Sequence, residues 1–147
     1  DAAEKKYIEI IGLDAKNFRA FKDLGEVYSR NQNLNEARQT LEHALRLRRK
    51  NPAVDGAEAV GNDLDVAQAH YLLAQVNEEA GDLTKAVIQL RRALKIEQNS
   101  PRYLDRLIEV SILKKDKIGA LDAFDRLKSA NPENQKLQSF KERIAEL

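Results

Sequence analysis

Four alanines, at positions 3, 37, 86 and 120, constrain this chain more than anything else in it, because each stands between a polar turn and a run of helix-forming residues. Two of the three gaps between them are 34 residues and the middle one is 49, so a constant period is interrupted by one insertion of 15 residues. A period of that length in helix-forming sequence marks a stacked array, in which each unit buries its apolar side only against its neighbours. The alanine itself has a packing reason. Where two helices of a hairpin approach most closely, a methyl fits and a larger side chain does not.

Other positions travel in the same register. Leu24, Leu73 and Leu107 lie 13 residues before an alanine, and Val27, Val76 and Val110 lie ten before. Tyr7, Leu41, Leu90 and Phe124 follow four after, and Ile10, Ala44, Ala93 and Leu127 seven after. The spacing predicts a half-hairpin helix over 3–12, then hairpins of 17–31 with 35–50, 64–80 with 83–98, and 101–114 with 117–130, closed by a helix over 133–146. Asn33 and Asn35 suit caps of the second helix in the first hairpin, and Asp63 suits the start of the next hairpin. Pro101 and Pro132 suit first helical positions, where the missing N–H is not needed. Residues 51–62, with Pro, two Gly and no helical period, read as an exposed loop holding the insertion.

This set closely resembles the tetratricopeptide repeat, a helix-turn-helix unit of 34 residues, over nearly the whole chain. Gly25 and Ala74 match its small eighth position, Gly81 its turn glycine and Pro132 its closing proline. Ile108 departs from the small position, Lys115 from the turn glycine, and Arg49 and Gln98 from the proline. The resemblance implies an all-α fold, a right-handed superhelical solenoid of antiparallel hairpins forming one domain over 1–147. Its parts are a truncated repeat with its second helix at 3–16, repeats at 17–51, 67–100 and 101–134, an insertion at 52–66, and a capping helix at 135–147. A plain, charge-rich style points to a bacterial origin.

With 42% hydrophobic and 33% charged residues in 147, the composition is that of one folded helical domain rather than a disordered chain. No apolar run approaches the 18 or so residues of a membrane span, and no leader-like segment is visible. The absence of cysteine excludes disulfides and thiolate metal sites. Cytoplasmic placement is favoured, with a membrane tether beyond these residues left open. The chain contains no methionine, even at residue 1, which suggests processing or excision from something longer. Ala3 falls in the second helix of a hairpin that lacks its first, so Tyr7, Ile10 and Ile11 want a partner, each worth about 1.5–3 kcal/mol when buried. The expectation is that the native chain continues upstream of Asp1, or that another copy covers this edge.

Chemistry-bearing constellations are sparse. His43 and His70 occupy different hairpins at different register positions, so they form neither a metal pair nor a dyad. His43 is expected to face solvent, and His70 to be a half-buried packing residue. No serine has a base at suitable spacing, and no phosphate-cradling glycine loop or metal-binding motif appears. Asp63 and Asp65 near a helix start are better explained by capping and the helix dipole than by a metal. No cofactor is expected, and the chain is read as a non-enzyme. The run Arg46, Arg48, Arg49, Lys50 complements a helix C-terminus at about 0.3–1 kcal/mol per charge. With a net charge of +1, it gives no basic stripe of the kind nucleic acid prefers.

The resemblance also implies a binding groove lined by the first helix of each hairpin. In this chain its positions hold Arg19, Lys22, Asp23, Glu26 and Ser29, then Gln68, Tyr71, Leu72, Gln75 and Glu78, then Arg102, Asp105, Arg106, Glu109 and Ile112. Tyr71 is the first anchor to consider, because its ring offers apolar area at little rotamer cost. Lys22, Arg102 and Arg106 match three basic positions of the clamp with which one subgroup grips a terminal carboxylate. Its two asparagines are replaced by Glu26 and Leu72, so that clamp is not expected. The leading reading is a non-catalytic module that binds a protein or peptide in this groove. The alternatives are self-assembly through the N-terminal helix and, more weakly, recognition of an anionic polymer.

Overall fold

The computed structural model describes residues 1–50 and 62–147, and every regular element among them is an α-helix. In chain order these are α1 (Ala2–Leu13), α2 (Phe18–Arg30), α3 (Leu34–Lys50), α4 (Asp63–Glu79), α5 (Leu83–Ile96), α6 (Pro101–Leu113), α7 (Lys117–Ala130) and α8 (Leu137–Ala145). Consecutive helices pack as antiparallel neighbours, while α2 also touches α4 and α6 touches α8, so the first helices of successive hairpins line one face together.

The register alanines lie where the sequence demanded small residues. Ala37, Ala86 and Ala120 are completely buried. Ala3 is exposed, because among the described residues no helix packs on that side of α1. A Cβ on Gly25 would stand 2.6 Å from Leu41 Cγ, which explains the small eighth residue by direct contact between α2 and α3.

One turn recurs in every complete hairpin. Gln32, Gly81 and Lys115 all adopt left-handed backbone, with φ of 62°, 84° and 59°. The N–H groups of the next residues, Asn33, Asp82 and Asp116, donate to the carbonyls of Tyr28, Asn77 and Ser111 at 2.8–2.9 Å. This closes the preceding helix in a Schellman arrangement. Asp82 and Asp116 then accept from Lys85 N and Gly119 N, capping the helix that follows. One residue therefore ends one helix and starts the next, which fixes the hairpin angle. Lys115, where glycine was expected, makes the same turn at a steric cost.

Several boundaries differ from the sequence expectation. Asn62, not Asp63, caps α4: its side chain accepts from Asp65 N while Asp65 accepts from Asn62 N, a complete capping box. Asp63 is the first helical residue instead. Asn35 lies inside α3, behind Leu34. Pro101 does open α6, with Ser100 as its cap. Pro132 does not open a helix. It sits in a turn after α7, and the closing helix begins only at Leu137, because Asn131 and Asn134 hold the intervening residues in turns. The loop expected at 51–62 lies, Asn62 apart, outside the described residues. Measured from their alanines, α4 starts four residues earlier than α2 and α6, and α3 runs three residues further than α5 and α7. Part of the insertion is therefore helical.

Candidate interaction face

The face shared by α2, α4, α6 and α8 carries the expected groove residues, and most of their charges are engaged with the neighbouring repeat. Arg19 Nε donates to Asp65 Oδ2 at 2.9 Å, and Lys22 Nζ reaches Asp65 Oδ1 at 3.3 Å and Gln68 Oε1 at 2.8 Å, tying α2 to α4. Lys22 is only 6% exposed, so its ammonium depends on these partners. Burial alone would raise the Asp65 pKa. Hydrogen bonds from Arg19, the Asn62 backbone and Lys22 outweigh it and hold the carboxyl below the usual carboxylate range.

Farther along, Arg106 lies 2.7 Å from Glu78, close enough for an ion pair between α6 and α4 though not aligned for a hydrogen bond. Lys136 and Asp105 meet at 2.8 Å. Arg143 on α8 grips Glu109 on α6 with both terminal nitrogens, at 3.0 and 2.8 Å. Those bonds hold the Glu109 pKa down. Glu26 pairs within its own helix with Arg30. No sequence spacing signalled Asp65, Lys136 and Arg143 as partners, because their contacts cross between helices whose relative rotation the register does not give.

Tyr71 is 7% exposed and packs its ring on Tyr103 at 5.1 Å between centroids, with the Arg102 guanidinium 4.4 Å above it. Gln75 Nε2 donates to its hydroxyl at 3.4 Å. The open part of the face is a cleft of about 190 Å³ bounded by Tyr71, Arg102, Asp105, Arg106 and Lys136. The structure thus brings Tyr71, Arg102, Asp105 and Arg106 to one cleft, and places Arg19, Lys22, Glu26 and Gln68 outside it. The histidines remain apart. His43 is not simply solvated as expected: it is half-buried, its ring set edgewise against Phe21 at 4.5 Å. His70 is half-buried and bonds Gln89 through Nδ1 at 2.7 Å.

A family model described as Tetratricopeptide repeat matches residues 18–99, more than half of the chain. The chain belongs to the tetratricopeptide repeat family. Solved tetratricopeptide repeat structures carry the likeness across the rest of the length. PilF of Pseudomonas aeruginosa aligns at TM-score 0.73 and 15% identity, over 97% of this chain and 58% of that one. MamA aligns at 0.74 and 16%, over 97% and 81%. YrrB, described as a TPR protein with an unusual peptide-binding site, aligns at 0.69 and 16%, over 97% and 75%. At such identities the likeness shows the fold alone, and this chain spans just over half the length of the PilF structure. Among curated proteins no relative matches. No helix among the described residues is long and apolar enough to cross a membrane.

Proposed function

We propose that this tetratricopeptide array is a non-catalytic module that holds an extended protein segment on the face of α2, α4, α6 and α8, centred on the cleft beside Tyr71. One observation carries the reading. Arg102 lies over the Tyr71 ring with no carboxylate among its described contacts, at the mouth of a cleft whose other cations, Arg106 and Lys136, are already ion-paired. A guanidinium held over an aromatic ring uses none of its N–H donors on a carboxylate there, which leaves them for an acidic side chain or a backbone carbonyl. The rigid, internally cross-linked wall around it lets a ligand bind without ordering the receptor. YrrB, with its peptide-binding site, lends the fold-level analogy.

Peptides selected from a random displayed library against the chain test this by fluorescence anisotropy. Arg102→Ala combined with Arg106→Ala is expected to weaken the selected peptides about tenfold or more. Peptides that bind the double variant unchanged would move the site elsewhere.

A second reading, assembly through α1, has its own support: α1 carries no buried residue, and Ile8 and Leu13 are 49% and 91% exposed. Light scattering over a concentration series decides it. A dimer abolished by Ile8→Glu supports assembly, and a monomer at every concentration ends it. Recognition of an anionic polymer on the inner face is disfavoured by the pairing of Arg19, Lys22, Arg106, Lys136 and Arg143 with carboxylates. No nucleic-acid partner is expected there.

A further inference from the structure

On the side of the second helices, each junction between complete repeats leaves a cleft, and the two clefts share several register positions. Leu45 and Leu73 at the first stand where Leu94 and Leu107 stand at the second, and Arg46 and Arg92 where Lys95 and Arg126 stand. Their sizes differ, however: about 530 Å³ between α3, α4 and α5, against about 210 Å³ between α5, α6 and α7.

Two causes are visible. At the second junction the positions of His70 and Gln89 are taken by Leu104 and Ala123, both fully buried, and Arg126 is tied to the Gln98 carbonyl at 2.9 Å. At the first, the longer C-terminal end of α3 brings Arg48 and Arg49 to the cleft wall and the early start of α4 brings Val66, whereas the matching Glu97, Gln98 and Ser100 do not line the second. A polar His70–Gln89 pair replaces the apolar seal.

The charge is lopsided. Among the described residues, four guanidiniums, from Arg46, Arg48, Arg49 and Arg92, border the cleft against the single carboxylate of Glu42. Among the described residues Arg46, Arg49 and Arg92 enter no ion pair, and Arg48 reaches only Asp63, at 3.4 Å, with its Nε buried and unbonded. Burial chiefly, opposed by the Gln89 bond and reinforced by Arg92 and Arg49, holds the His70 pKa below its usual value. Leu45, Val66 and Leu73 supply an apolar floor. The volume lies within the roughly 300–1,000 Å³ of small-molecule sites.

We propose that this cleft binds a small organic phosphate, with its oxygens on the forks of Arg46, Arg49 and Arg92 and its apolar body on Leu45, Val66 and Leu73. Guanidinium forks match phosphate oxygens in pairs, and three of them from two facing helices suit a group that presents oxygens in several directions. The ligand is a molecule rather than a free ion, because the floor offers apolar surface that inorganic phosphate cannot use.

Titration calorimetry of the full chain at low salt tests this with ADP, pyrophosphate and adenosine as separate probes. Saturable ADP binding is expected, weakened about tenfold by Arg92→Ala or by Arg46→Ala. Both arginines are exposed, so these variants should keep the wild-type melting temperature. Arg126→Ala, at the sealed junction, should leave the affinity unchanged. Absence of binding by both ADP and pyrophosphate at millimolar levels overturns the site, as does ADP binding indifferent to Arg92 and Arg46. Equal affinity for ADP and pyrophosphate overturns the role given to the floor.

Discussion

The two inter-repeat junctions of this chain are built to one plan and held by different forces. The second, across α5, α6 and α7, belongs to one continuous apolar cluster that runs from Ala67 and Tyr71 on α4 to Phe140 and Ile144 on α8. The first has no such continuity: its buried apolar residues fall into two small clusters, one around Leu41 and Leu73 and one around Phe18 and Ala69. Beside the small Phe18 cluster, α2 is joined to α4 by the buried Lys22 with Asp65 and Gln68, and by Arg19 next to them. Hydrophobic burial is tolerant of direction, whereas ion pairs and hydrogen bonds are not. The insertion lies at the junction that relies on polar contacts, and the capping box that places Asp65 is part of its helical extension.

The sharpest way to break the contrast is truncation at equivalent positions. Leu104→Ala removes a completely buried side chain from the continuous cluster and should cost about 2–5 kcal/mol in chemical denaturation. His70→Ala, at the matching position of the first junction, removes one hydrogen bond beside an open cleft and should cost only about 1 kcal/mol. Equal losses would mean that the two junctions are energetically alike.

Acid provides a second, smaller test. Asp65→Asn leaves the buried Lys22 ammonium with only the more distant Asp23, at 3.8 Å, as counter-charge and should cost about 2 kcal/mol at neutral pH, less than a fully buried pair because Arg19 is half exposed. The Asp65 pKa is depressed in the folded chain, so its contribution is complete above the unfolded value of about 4 and is lost as pH falls through the folded one. The gap between wild type and variant should therefore close as urea titrations are repeated toward pH 3. The Leu104→Ala gap, which involves no proton, should not. A pH-independent Asp65 effect would mean that the charge of this carboxylate does not hold the junction.

This division also explains what could be read in advance. Helix number, hairpin pairing and the burial of Ala37, Ala86 and Ala120 were legible because they depend on period, and period survives in a one-dimensional string. The positions expected on the face came from the family resemblance rather than from the period. Their engagement was not legible. Whether Arg106 waits for a ligand or pairs with Glu78 depends on how far α6 is rotated against α4, and no spacing encodes that. Misplaced boundaries share a local cause: Asn62 outcompetes Asp63 as a cap because Asp65 can reciprocate, and Pro132 is compatible with a turn as well as with a first helical turn. The open cleft of the first junction is not legible in the sequence because His70 and the Arg46–Lys50 run lie in different hairpins, and only packing brings His70, Arg46, Arg48 and Arg49 to one wall.

The smallest expected effect tests whether the weak junction divides the molecule in unfolding. Gln32 and Lys115 hold left-handed backbone that costs a non-glycine residue about 1–2 kcal/mol, partly offset by the greater chain entropy a glycine would lose. Both side chains are exposed, so replacing either with glycine forfeits little contact. Gln32→Gly and Lys115→Gly should each stabilise by about 0.5–1 kcal/mol. Their location matters more than their size, since Gln32 turns the hairpin before the polar junction and Lys115 the hairpin inside the continuous core. If the polar junction yields first, calorimetry should show Gln32→Gly raising only the earlier part of the melting transition and Lys115→Gly only the later part. An identical upward shift of one cooperative peak by both variants would show that Lys22, Asp65 and Gln68 couple the repeats as firmly as the apolar cluster does.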